Sequence, residues 1–268
     1  YLDGGILTDF RADSNNSNLE KGTVEFRRFV YLYRNRRLNK PNENYYVYVE
    51  GDYAVKIFNK PVIRFYFNLK PNKDGVNAWA GFIEKALNDY QIPFQLKYPL
   101  NLKNYSYADS GVLYVSQNHF RIVAEVINDV YLAFKYEDQF SIFRDEVPFF
   151  TKEIYKGIGF SEDPFFSETS FGMQRCTAII DQIHSRNIKW ENDAEFAKGI
   201  SSIEEGLGEL GYNMEEFFRN PNTQYKYEFD VFNKPTPSNN DTIDYNKLKR
   251  NSFLPQWANP AKLKYIDI

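Results

Sequence analysis

The chain is poor in the residues that build covalent and metal frameworks. A single cysteine, Cys176, cannot close an internal disulfide, and the two histidines in 268 residues, His119 and His184, do not supply a zinc-ligand spacing. No structural metal and no cofactor are therefore expected. No uninterrupted apolar run reaches the roughly 18 residues a membrane helix needs, and neither an initiating Met nor a signal-peptide pattern is present. A phosphate-binding loop of the Gly-x-x-x-x-Gly-Lys-Ser/Thr type and a kinase signature are also missing, so any phosphoryl group the protein handles must be installed by another enzyme. No internal repeat is evident.

What is present points to an ordinary soluble, folded chain: 43% hydrophobic and 26% charged residues, with 24 Phe and 21 Tyr. The net charge of -3 hides an asymmetry. Residues 20–104 hold 15 Lys and Arg against 8 Asp and Glu, a local +7, which leaves -10 for the remainder. Arg34, Arg36 and Arg37 alternate with tyrosines in a way that would suit single-stranded nucleic acid, yet no recognition motif accompanies them; a solvated basic surface is the simpler reading. No nucleic acid or membrane partner is expected.

Hydrophobic periodicity predicts an α+β order. Residues 1–40 form a polar and basic segment in which 24–38 is either a short helix or irregular. Residues 41–234 form the main domain, and 235–268 an extended tail rich in Pro and Asn. Residues 45–49 and 53–58 flank Gly51-Asp52 as a predicted hairpin, with 61–69, 94–100 and 109–115 as further strands. Apolar residues at helical spacing predict helices over 75–90, 118–136, 173–186 and 193–210. Residues 150–172 read as a loop broken by Gly and Pro, and 224–232 as a return to the sheet.

Two stretches concentrate the polar chemistry. In the run 62–70, alternation sends Ile63, Phe65, Phe67 and Leu69 to one face and Arg64, Tyr66 and Asn68 to the other. A guanidinium, a phenol and an amide in line suit an anion. Gln95 and Lys97 form a similar polar row on the strand at 94–100. The second stretch runs from Phe150-Thr151-Lys152 through Gly157 and Gly159 to Glu162-Asp163-Pro164 and Ser170-Phe171-Gly172-Met173-Gln174-Arg175, adding Lys152 and a further arginine.

Taken in order, Arg64-Phe65-Tyr66-Phe67-Asn68-Leu69, Ala86-Leu87-Asn88, Ile92-Pro93-Phe94-Gln95-Leu96-Lys97, Ala108-Asp109, Val112-Leu113-Tyr114 and the second stretch resemble the HopA-type type III effector family over about residues 10–215. The resemblance implies a fold like that of bacterial phosphothreonine lyases: an antiparallel-rich sheet flanked by amphipathic helices. It also implies their reaction, elimination of phosphate from a phosphorylated hydroxy amino acid to leave a dehydroamino acid. HopA-like proteins are encoded beside peptide kinases in lanthipeptide and thioamitide clusters. The implied partners are thus a phosphorylated precursor peptide and a separate peptide kinase, and the implied location is the bacterial cytoplasm, or another cell if the chain is an injected effector.

Against the lyase pattern, Arg64 and Tyr66 align with a Lys-x-His strand, Gln95 and Lys97 with a Lys-x-Lys strand, and Tyr114 with a Leu-Tyr strand. The resemblance makes Lys97 the base and Tyr66 a catalytic partner at the position of the acid histidine. Arg64, Arg175 and Lys152 become phosphate ligands, and Asn68, Gln95 and Tyr114 substrate contacts. Tyr107 stands where the family commonly has Arg, and Gln174 where it commonly has His. Plainer readings stand beside these: Lys97 exposed on a polar face, Arg64 paired with Asp109 or Glu162, Tyr66 and Tyr114 covering a half-buried sheet, and Lys152 paired with Glu153 or Glu162. A non-catalytic scaffold holding a phosphopeptide or a kinase would use the same cationic surface.

Overall fold

Alternating apolar side chains on successive strands produce one antiparallel sheet with a single greasy face. A computed structural model describes residues 6–8, 28–32, 45–51, 53, 61–135, 142–164 and 169–233. Its strands are β1 (Ile6–Thr8), β2 (Arg28–Leu32), β3 (Tyr45–Glu50), β4 (Val62–Phe67), β5 (Phe94–Pro99), β6 (Gly111–Ser116), β7 (Lys152–Tyr155) and β8 (Ile158–Glu162). They form an eight-stranded sheet in the order β1-β2-β3-β5-β6-β4-β8-β7, every neighbour antiparallel. The α+β class read from periodicity holds.

Helices α1 (Lys73–Asp89) and α2 (Phe120–Lys135) pack together on the greasy face. Helix α1 starts where the Asn72 side chain accepts the Gly75 N–H at 3.0 Å, satisfying one of the amides a first turn leaves unpaired. Trp79, Ile83 and Leu87 then recur at helical spacing and are fully buried. Beneath them lie Ile63, Phe65 and Phe67 of β4, Phe94 and Leu96 of β5, Leu113 and Val115 of β6, and Ile158 and Phe160 of β8. Phe65 meets Phe160 edge-on at 5.3 Å, and truncating it to Ala would cost about 3–5 kcal/mol.

Helices α3 (Phe171–Ser185) and α4 (Asp193–Glu209) form a second pair with a small core of Ile203, Leu207 and Phe217. Ser170 caps α3, accepting the Met173 N–H at 3.3 Å, and Asn192 caps α4, accepting the Glu195 N–H at 3.0 Å. Through Phe171, the start of α3 reaches Tyr66 and Val112 on the face opposite α1 and α2. That contact sets the edge of the open face described below.

Four expectations change. Part of the segment 24–38 is strand, since Arg28–Leu32 pairs along β3; a run of aromatic and β-branched residues beside a free edge favours pairing over a helix. Both edges of β3 are taken, by β2 and β5, so it forms no hairpin with residues 53–58, of which 54–58 lie outside the described residues. Residues 152–162 are a hairpin rather than a loop. Its turn uses Gly157 at φ +73°, where a side chain would collide with the Arg144 carbonyl. Residues 224–232 do not rejoin the sheet. Tyr227 and Phe229 alternate like a strand, but their rings meet Phe160 edge-on at 4.9 and 5.4 Å, and the segment ends in a 3-10 turn, Phe229–Asn233. The tail 235–268 lies outside the described residues.

Candidate functional site

The face of the sheet turned away from α1 and α2 carries two cross-strand rows. One runs Ser161, Arg64, Tyr114, Gln95, Glu50 across β8, β4, β6, β5 and β3, and the next runs Gly159, Tyr66, Val112, Lys97, Tyr48. Period-two alternation on five strands in register thus gathers most of the residues singled out in the sequence. Strands β4 and β5 are separated by β6, a lateral gap of roughly 10 Å. Arg64 and Lys97 have side chains long enough to converge across it.

Arg64 is paired with a carboxylate of its own chain. Its Nε and Nη2 both meet Asp163 Oδ1, and its guanidinium carbon lies 5.1 Å from the centre of the Tyr114 ring. Burial pulls its pKa down, but the phenols of Tyr114 and Tyr66 and the Asp163 carboxylate more than offset this and hold it above its ordinary range. The partner is neither Asp109 nor Glu162. Glu162 lies on the α1–α2 face, opposite Ile63, whereas Asp163, one residue on, returns to the open face.

Lys97 is half-buried, with Nζ 4.1 Å above the centre of the Tyr46 ring and 5.9 Å from that of Tyr48. Burial pushes its ammonium below the usual lysine value; Asp109 opposes the shift and Arg64 adds to it. The plain surface reading of Lys97 therefore does not hold. Burial raises the Tyr66 phenol as well, with Arg64 and Ser161 opposing, and pushes Tyr114 up to about 12. Both stay protonated near neutrality and can donate. Gln95 donates to Glu50 Oε1 at 3.0 Å and so is tethered at the rim. Asn68 is on the polar side but buried, its amide committed to the Glu146 carbonyl at 2.9 Å.

Two of the expected phosphate ligands are elsewhere. Arg175 is fully buried under the second turn of α3. Its Nε donates to the Phe217 carbonyl at 2.8 Å, Nη2 to the Arg219 carbonyl at 2.6 Å and to Asn220 Oδ1 at 3.3 Å, and Nη1 to Gln174 Oε1. Phe171, Tyr212 and Phe217 wall it in. It ties the segment 217–220 to α3 rather than offering its donors to solvent. Lys152 pairs with Phe160 and so shares the face of α1 and α2, with Nζ over the rings of Phe229 at 4.8 Å and Phe218 at 5.6 Å. The sheet separates it from Arg64.

The profile of the HopA1 effector protein family matches residues 36–219, well over half of the chain. The chain belongs to that family. Among solved structures, the effector protein from Pseudomonas syringae pv. tomato strain DC3000 is similar at a TM-score of 0.51 and 13% identity, covering 66% of this chain and 63% of that one. The chain therefore spans under two thirds of that effector's length, and the likeness concerns fold. The effector from Pseudomonas syringae pv. syringae strain 61 is similar at a TM-score of 0.48 and 12% identity, covering 81% and 76%. No curated protein matches the chain.

This HopA1-family chain also holds polar residues whose partners differ from those the sequence suggested. Glu162 is buried and accepts from the Asn220 N–H at 2.6 Å, Tyr227 at 2.7 Å, Thr223 at 3.1 Å and Gln117 at 3.2 Å. Together with Arg175 it fixes the segment 217–227 to β8 and α3. A buried carboxylate with four donors is a structural hub. Asp163 reaches the open face because alternation continues beyond Ser161, past the end of β8, in a segment the sequence reads as a loop. Among the described residues, no group of three or more His, Cys, Asp and Glu could hold a metal ion, and no helix is long and apolar enough to cross a membrane.

Proposed function

We propose that this HopA1-family chain binds a phosphorylated serine or threonine of a peptide on the open sheet face and eliminates the phosphate. The observation that carries the reading is the shared face of Lys97, whose ammonium is depressed by burial, and Arg64, a permanently charged guanidinium walled by two protonated phenols.

In this reading neutral Lys97 Nζ takes the proton from Cα of the phosphorylated residue. The electron pair left behind forms the Cα=Cβ bond, and the Cβ–O bond breaks. Phosphate leaves against Arg64, with the Tyr66 hydroxyl as a donor to the departing oxygen. Tyr114 supports the Arg64 plane, and Gln95 lines the rim. With Arg175 and Lys152 committed elsewhere, Arg64 is the principal charge available to the leaving group. The substrate implied by the resemblance is a lanthipeptide-type precursor phosphorylated by a separate kinase.

The test is incubation of the purified chain with a phosphothreonine peptide, followed by mass spectrometry. Loss of phosphoric acid supports elimination; recovery of the alcohol indicates hydrolysis; an intact but retained phosphopeptide indicates a binding protein. Chelator should leave elimination unchanged, because the proposed steps use side chains alone.

The family match favours a second reading, in which the chain is an effector delivered into another cell. A translocation reporter fused to the chain in a bacterium with a type III system tests it: reporter signal inside the recipient cell supports delivery, and signal confined to the donor opposes it.

A further inference from the structure

We propose that Asp163 makes this face selective for phosphate over carboxylate, by holding Arg64 until a ligand with more than one negatively charged oxygen displaces it. The inference rests on the reading that the open face takes a phosphorylated residue. Its basis is the geometry of the pair. Both Arg64 donors, Nε and Nη2, converge on one oxygen, Asp163 Oδ1, rather than meeting two oxygens in the parallel fork that makes arginine–carboxylate pairs strong.

The backbone keeps the pair in this form. The Asp163 N–H donates to the Val62 carbonyl at 2.9 Å, and the Asp163 carbonyl accepts from Asn220 Nδ2 at 2.6 Å, so the residue is pinned from both sides and Pro164 follows it. The Arg64 side chain is 14% exposed and that of Asp163 24%. A guanidinium this enclosed is costly to leave unpaired, so a ligand must replace Asp163 rather than simply join it. A phosphate brings close to two charges and three acceptor oxygens, and can span Nε and Nη2 with two of them. A glutamate or aspartate side chain on an unphosphorylated peptide brings one charge and must compete with a carboxylate already in place.

The test compares the wild-type chain with Asp163→Asn, using three forms of one peptide: phosphothreonine, threonine, and glutamate at that position. The expected result is that Asp163→Asn binds the phosphopeptide more tightly and gains binding of the glutamate peptide, narrowing the ratio between them by about tenfold, the scale of one charge-assisted contact. In an Arg64→Gln background the same substitution should change nothing. Weaker phosphopeptide binding by Asp163→Asn would overturn the inference, because Asp163 would then be orienting Arg64 rather than competing for it. Equal binding of all three peptides by the wild type and the variant would overturn the phosphate-site reading itself. If Asp163→Asn does not fold, the Arg64 Nε–H resonance of the wild-type chain decides the matter: it should move with inorganic phosphate and not with acetate, and equal movement with both would contradict selectivity.

Discussion

Arg64 and Arg175 look alike in the sequence and both are enclosed in the fold, yet they do different work. Arg64 faces a carboxylate and two phenols on the open face of the sheet; Arg175 faces backbone carbonyls under a helix. The acceptors decide the role. Carbonyls pinned in a chain segment cannot move aside for a ligand without unfolding that segment, whereas a carboxylate side chain can rotate away. Burial and charge alone therefore do not mark a phosphate site.

The contrast is broken most readily on stability. Replacing Arg175 with Met would leave the Phe217 and Arg219 carbonyls, which cannot turn to water, without their donor and should cost about 3–5 kcal/mol, while Arg64→Met leaves one carboxylate, Asp163, that is partly exposed and free to turn to solvent, and should cost about 1–3 kcal/mol; urea unfolding compares them. Similar losses would erase the distinction. Binding sharpens it from the other side. Arg64→Gln should weaken a phosphothreonine peptide by about tenfold or more and leave the unphosphorylated peptide nearly unchanged, measured by calorimetry at one salt concentration.

If Lys97 is the base, its active form is neutral, so elimination should fall as pH drops through its pKa, and because burial lowers that pKa the plateau should begin below the ordinary lysine value of about 10.4. A midpoint at or above that value would place Lys97 in water. The smallest effect is expected at Lys152, on the far side of the sheet: Lys152→Ala should keep phosphopeptide affinity within about twofold. A tenfold loss there would mean that ligand reaches both faces.

Much of this arrangement was legible because it follows from local periods. The helices of the α1–α2 and α3–α4 pairs, and the polar rows of β4 and β5, come from spacing of 3.6 and 2.0 residues and appear within a residue or two of where the sequence puts them. Two kinds of information were not local. Lys152 could be placed on a face only after the β7–β8 hairpin and its register were known, since one residue of slip changes the side. Arg175 could be assigned only after the segment 217–220 was seen to return beneath α3, a contact more than 40 residues away in sequence. Asp163 and Glu162 are neighbours whose opposite roles depend on strand alternation continuing past the end of β8.

The central claim is that the open sheet face removes phosphate with Lys97 as the base. Phosphorus NMR of a phosphothreonine peptide, recorded with the wild-type chain and with Lys97→Ala, tests it most directly. With wild type, the peptide signal should give way to inorganic phosphate as the dehydro product appears. With Lys97→Ala, the peptide signal should broaden on binding within about tenfold of the wild-type affinity but persist, because losing a base removes stabilisation present only in the transition state. Inorganic phosphate released by Lys97→Ala at the wild-type rate would contradict the claim.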